Sequence, residues 1–169
     1  MDLRPVLFQW ARRAVWGVAG LWLSGCAVAE WQELGTPRAE VLKDMGRPTL
    51  TLPLPAGGER LLYSRQPAGQ QVYHFDFDAQ QRLARVQQVL TMQQFFALRN
   101  DVDTRASVLQ QFGPPALVEG VASFKGDIWT YRLLDNGASR QAHVHIDPAG
   151  VVRRVMFTDE VFNDSDPLD

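Results

Sequence analysis

The sequence predicts an α+β fold made of two tandem repeats. Each repeat is a short helix, or helical hairpin, followed by a three-stranded antiparallel meander sheet. Three observations predict it. TPRAEVLKDMGRP (36–48) aligns with DTRASVLQQFGPP (103–115) at an offset of 67. VYHFDFDAQQRLARV (72–86) aligns with QAHVHIDPAGVVRRV (141–155) at an offset of 69. Within each unit the apolar period changes from the helical one to two, the mark of half-buried strands.

In the first aligned pair, Ala39, Val41, Leu42, Gly46 and Pro48 match Ala106, Val108, Leu109, Gly113 and Pro115. Val41, Leu42 and Met45, like Val108, Leu109 and Phe112, fall on one helical face. Thr36 and Asp103 are placed to cap the helix starts. The glycine supplies a left-handed ending, and the proline two residues later prevents continuation. Segments 49–59 and 116–127, rich in Gly, Pro or small residues, read as loops. A strand follows at 60–65, matched by 128–133 with Tyr63 on Tyr131. In the next pair His74 falls on His143, Asp78 on Asp147, Arg85 on Arg154 and Val86 on Val155. Asp-Ala-Gln-Gln and Asp-Pro-Ala-Gly are the tight turns between the last two strands of each unit. Short helical turns are expected at 30–35 and 93–100, with 91–103 as connector. The two sheets are expected to join edge to edge or to pack through that connector. The repeats are thus 26–90 and 91–158, with an acidic flexible tail at 159–169.

The N-terminus has the three-part layout of a secretory signal. Arg4, Arg12 and Arg13 outweigh Asp2, residues 14–23 are uncharged and apolar, and Ser24 and Gly25 are small. The run is short of the roughly 20 apolar residues that span a bilayer. Cys26 is the single cysteine, so no intrachain disulfide is available. Leu23-Ser24-Gly25-Cys26 resembles a bacterial lipobox. That resemblance implies cleavage after residue 25 and acylation of Cys26, with more than one chain because a single chain anchors only marginally. Ala27, where an Asp marks inner-membrane retention, implies an outer-membrane lipoprotein facing the periplasm.

Without residues 1–25 the chain keeps 14 basic and 18 acidic residues, five of the acids within 159–169. The body is close to neutral, without the basic stripe of a nucleic-acid binder. The acidic end lacks periodicity and reads as solvated.

Val41-Leu42-x-x-x-Gly46-x-Pro48 and Val108-Leu109-x-x-x-Gly113-x-Pro115 resemble the pattern of the SmpA/OmlA, or BamE-like, small outer-membrane lipoproteins. In that family a helical hairpin with this ending precedes an antiparallel three-stranded sheet. The resemblance implies a non-enzymatic, lipid-anchored periplasmic protein of the outer membrane. Its role would be to support outer-membrane protein assembly or envelope integrity through protein contacts, with the barrel-assembly machinery as candidate partner. Family members in that machinery carry one copy of the unit, and this chain carries two. A tandem pair is similar to the β-lactamase-inhibitor protein fold, which implies an alternative: an inhibitor-like module gripping a periplasmic enzyme with its tandem sheet.

His143 and His145 share a strand face, about 6–7 Å apart along it. His74 and Asp76 are their equivalents in the first repeat. All four are expected to point away from Tyr73, Phe75 and Phe77 and from Ala142, Val144 and Ile146, onto a polar sheet face. Zinc is one reading of such a set; a solvated face is the other, and no metal is assigned. Trp129 and Tyr131 share a strand face with Leu133. They read as core or, if exposed beside Arg132 and His143, as a protein-binding hot spot. Arg85 and Arg154 read as a solvated outer face or as contacts to acidic groups. The candidate partner-binding set is therefore His74, Asp76, Trp129, Tyr131, Arg132, His143 and His145, with Cys26 for lipid. No Gly-x-Ser-x-Gly elbow, phosphate-cradling loop or dinucleotide fingerprint occurs, so no catalytic residue or cofactor is assigned.

Overall fold

The computed structural model describes residues 29, 32–55 and 57–160. The segment assigned to export, Cys26, and residues 161–169 of the acidic tail lie outside the described residues. The first half runs α1 (Arg38–Met45), β1 (Leu50–Pro53), β2 (Glu59–Ser64), β3 (Val72–Phe77) and β4 (Leu83–Gln88). After α2 (Met92–Phe96) the same order returns: α3 (Arg105–Phe112), β5 (Leu117–Val121), β6 (Phe124–Asp135), β7 (Ala138–Ile146) and β8 (Val152–Asp159). Both sheets are antiparallel and follow chain order, β1-β2-β3-β4 (sheet 1) and β5-β6-β7-β8 (sheet 2). The fold is α+β.

Each sheet has four strands, not the expected three. The additions, β1 and β5, occupy segments read as loops. Both are edge strands with weak sequence signals. β1 has four residues and ends in Pro53, which an edge strand tolerates because one side of its ladder is unpaired. β5 is exposed along its whole length, so no buried alternation announces it. Of the expected helical turn at 30–35, residues 30 and 31 lie outside the described residues, and a turn is present at Leu34–Gly35.

Several details recur in both halves at equivalent positions. Gly46 and Gly113 end their helices at φ +74° and +72°, with ψ of −157° and −167°, a region essentially reserved for glycine. The Tyr63 hydroxyl donates to the Gly46 carbonyl at 2.9 Å, and the Tyr131 hydroxyl to the Gly113 carbonyl at 2.8 Å. Each tyrosine thus satisfies a carbonyl that the helix end leaves free. Asp78 Oδ1 accepts from the Arg82 N–H at 2.8 Å, and Asp147 Oδ1 from the Val151 N–H at 2.9 Å. A bulge recurs too: Ala84 of β4 is the extra residue opposite Asp76–Phe77, and Arg153 of β8 opposite His145–Ile146.

The helix starts differ from expectation. Thr104, not Asp103, caps α3, accepting from the Ser107 N–H in a reciprocal capping box. Asp103 instead accepts from the Arg99 N–H at 2.6 Å. α1 starts after Pro37 with no side-chain cap, and the Thr36 hydroxyl donates to the Glu33 carbonyl.

The sheets do not join edge to edge. α1 covers one face of sheet 1, where Val41 packs with Leu61, Tyr63, Tyr73, Phe75, Phe77 and Leu83. α3 lies between the two sheets. On one side Phe112 meets Tyr131 of sheet 2, with ring centroids 5.7 Å apart. Phe95 of α2 stacks on Phe112 at 4.1 Å, and the cluster continues through Leu133, Ala142, Val144, Ile146 and Val152. On its other side α3 rests on the second face of sheet 1, against Leu62 and His74. The layers are therefore α1, sheet 1, α3 and sheet 2.

Candidate functional site

β7 and its neighbours set side chains of sheet 2 in cross-strand rows. Leu117, Thr130, His143 and Met156 form one row, and Glu119, Ile128, His145 and Arg154 the next. Both lie on the face opposite Trp129, Tyr131, Ala142 and Val144. No side-chain hydrogen bond or ring contact of these rows reaches outside sheet 2 among the described residues. At the rims Leu117 and Met156 are 51% and 45% exposed, and Glu119 and Arg154 are also exposed. The centre is buried by its neighbours: Thr130, Ile128 and His145 are nearly inaccessible. Phe124 closes over His145 edge-on, with ring centroids 5.0 Å apart. The result is a shallow face with imidazoles in its floor and rims that are apolar at Leu117 and Met156 and charged at Glu119 and Arg154.

His143 bridges the floor. Its Nδ1 lies 2.9 Å from the Thr130 hydroxyl and its Nε2 2.9 Å from the Thr158 hydroxyl. Burial lowers its pKa below the ordinary histidine value, with Glu119 opposing. His145 is lowered as well, by burial first and by the Arg154 charge second. Both rings are thereby held toward the neutral form at neutral pH. His145 Nδ1 is buried without a hydrogen-bond partner, and Arg154 makes no ion pair among the described residues.

The equivalent face of sheet 1 is occupied. His74 is 2% exposed, and its Nε2 donates to the Gln111 carbonyl in the last turn of α3 at 2.8 Å. A carbonyl only accepts, so Nε2 carries the proton. Burial, with the Arg60 charge, lowers the His74 pKa to about 4. Gly113 sits so close to this face that a Cβ there would meet Leu62 Cδ2 at 2.9 Å. Asp76 accepts from Arg60 Nε and Nη2 at 2.6 and 2.8 Å in a two-pronged ion pair.

Of the candidate set, His143 and His145 share the open face. His74 and Asp76 do not join them on a solvated surface, because α3 covers His74 and Asp76 is engaged by Arg60. Trp129 and Tyr131 lie in the core, 8% and 0% exposed, so they offer no hot-spot surface. Arg105 lies over the Trp129 ring at 5.8 Å. Arg132 is a clamp between the halves. Its guanidinium donates to Glu160 and to the Pro67 carbonyl at 2.7 Å. Its backbone N–H and carbonyl, beyond the end of β5, pair with the Gln66 side-chain amide at 3.1 and 2.7 Å. The sequence reading missed Leu117, Phe124 and Met156 as face residues. For Met156 the period-two register of 141–155, continued past Val155, carried that information; Leu117 and Phe124 fall in the segment read as a loop.

No family model matches the chain, and no curated protein matches it. Among solved structures it is similar to a DUF4309 family protein, YjgB, from Bacillus subtilis. The identity is 17%, covering 74% of this chain and 79% of that one, with a TM-score of 0.31. No residue role is carried over from it.

A second concavity lies elsewhere, beside α1 and β1. It measures about 580 Å³ and is lined by Arg38, Leu42, Arg47, Pro48 and Leu50 among others. Its lining has two arginines and neither acid nor imidazole, so it holds no acid–base pair. Among the described residues no group of three or more His, Cys, Asp or Glu side chains is placed to hold a metal ion. No helix among them is long and apolar enough to cross a membrane.

Proposed function

We propose that this is a non-enzymatic, lipid-anchored periplasmic protein of the outer membrane. In this reading it carries two BamE-like repeats and supports outer-membrane protein assembly or envelope integrity by binding other proteins. Cys26 is acylated and holds the chain at the membrane, and the second repeat carries the recognition surface. The observation that carries the reading is the sheet 2 face. Its rim residues Leu117 and Met156 are exposed around a floor in which both ring nitrogens of His143 are taken up by threonine hydroxyls. Such a face suits a protein partner better than a small substrate. The doubled order of elements and the Leu-Ser-Gly-Cys signal support the remainder.

The inhibitor-like alternative needs a narrower form. With α3 over Leu62 and His74, the two sheets offer no continuous tandem face, so an enzyme would be gripped by sheet 2 alone.

The test is crosslinking and pull-down from solubilised membranes, with the full chain and with Cys26→Ala. Barrel-assembly proteins recovered only with Cys26 intact are the expected result. One soluble periplasmic hydrolase recovered equally with both forms would replace this reading by the inhibitor-like one.

A further inference from the structure

We propose that the open face of sheet 2 docks the C-terminal end of an α-helix supplied by a different protein, held as α3 is held on sheet 1. This rests on the protein-binding reading above and specifies its surface and the form of its partner.

The chain contains its own precedent. In sheet 1 the row Leu50, Leu62, His74 and Gln87 receives the last turn of α3. His74 donates to the Gln111 carbonyl, one of the four that a helix end leaves unpaired. Arg60 and Arg85 lie close enough to act on His74. Arg60 is tied to Asp76, so the Arg85 charge is the one that complements the negative end of the helix dipole. In sheet 2 the equivalent row is Leu117, Thr130, His143 and Met156, with Arg154 in the place of Arg85. The components recur: an apolar rim, a central imidazole and a cation without an ion pair. The helix is what is missing. Helix-bearing units stack in this way in repeat proteins, where each unit covers the exposed face of the one before it.

Two occupants from the chain itself fit poorly. α1 of a second copy would present Glu40, Lys43 and Asp44, all charged and exposed. That is the polar outer surface of a terminal cap. The nine residues after Glu160, VFNDSDPLD, carry three acids and a proline and contain no helix-forming run. The sheet 2 face instead combines the exposed apolar side chains of Leu117 and Met156 with the cation of Arg154, in the place of Arg85 in sheet 1, and so calls for a helix in trans.

The experiment places p-benzoylphenylalanine at Met156, at Leu117 or, as control, at Lys43 of α1, in the full chain inside the cells that make it. Irradiation precedes lysis, and insertion points are sequenced. The expected result is one heteromeric adduct from positions 156 and 117 and none from 43. Its insertion points in the partner should recur every three or four residues, the helical spacing. Arg154→Glu should lower the adduct yield about tenfold, as loss of one strong interfacial contact does, with an unchanged thermal midpoint. Insertion points two residues apart would mean an added strand. Insertion into residues 161–169, an adduct with a second copy, adducts equally at 43, or none at 156 and 117 would each overturn the proposal. A helical footprint on a protein unrelated to outer-membrane assembly would keep this inference and remove the assembly role.

Discussion

His74 and His143 hold equivalent positions in two sheets of the same construction, yet their surroundings are opposite. His74 lies under α3 and donates a hydrogen bond to a helix carbonyl. His143 has no helix above it and bonds to two threonine hydroxyls of its own sheet. The difference arises from position in the chain. Sheet 1 has a following unit whose helix covers its second face; sheet 2 has none among the described residues. The same local chemistry therefore makes an internal joint in one half and an exposed surface in the other.

The comparison is tested most severely at the middle layer. Phe112 faces both the Phe95 ring and sheet 2, while its counterpart Met45 is only half-buried. Phe112→Ala is expected to cost about 3–5 kcal/mol in denaturant melts, as emptied aromatic sites do. Met45→Ala should cost about 1–2 kcal/mol, because less apolar area leaves contact. Equal losses would contradict the placement of α3 as the shared layer.

The glycines give the next contrast. Gly46 and Gly113 share one backbone conformation, so an alanine strains each by about 1–3 kcal/mol. At Gly113 the added methyl also meets Leu62, whereas at Gly46 nothing lies within 4 Å. Gly113→Ala should therefore exceed Gly46→Ala by about 1–3 kcal/mol, the usual range for overpacking. A vanishing gap would mean that α3 does not press on sheet 1.

Acid should separate the halves as well. The His74 pKa is about 4 when folded, below the unfolded value of about 6.5. Between these values the unfolded chain binds the extra proton, so stability rises with pH there. The contribution is complete above about pH 6.5 and is lost as pH falls to about 4, up to about 3 kcal/mol. His74→Gln keeps a donor for the Gln111 carbonyl and should flatten that slope. His143→Gln should flatten it less. Asp103 and Asp147 have lowered values, through the Arg99 hydrogen bond and the Val151 N–H respectively. Their losses belong to more acidic solutions.

The smallest contrast is at the tyrosines. Tyr131 is fully buried and Tyr63 less so. Tyr131→Phe strands the Gly113 carbonyl and should cost about 1–2 kcal/mol, against about 0.5–1 kcal/mol for Tyr63→Phe, where water can replace the hydroxyl.

The repeated order of elements was legible because it is written in local signals. Gly46 and Gly113 stop helices, Asp78 and Asp147 make turns, and the alternation in 72–86 and 141–155 marks strands. β1 and β5 were not legible: an edge strand with one paired side needs no buried alternation. The candidate site was legible in part. Period two correctly put His143 with His145 and His74 with Asp76. It could not say that α3 would cover one pair and spare the other, since that depends on how the units stack. The core positions of Trp129 and Tyr131 follow from the same stacking.

The chain has three histidines, so imidazole C2-hydrogen exchange, followed by mass spectrometry across pH, tests the central claim directly. One closed sheet and one open sheet predict that His74 exchanges slowest and titrates near pH 4, while His143 exchanges faster at every pH. If His74 exchanges as fast as His143 and titrates at the ordinary histidine value, α3 does not close sheet 1. The distinction between covered joint and exposed face then fails.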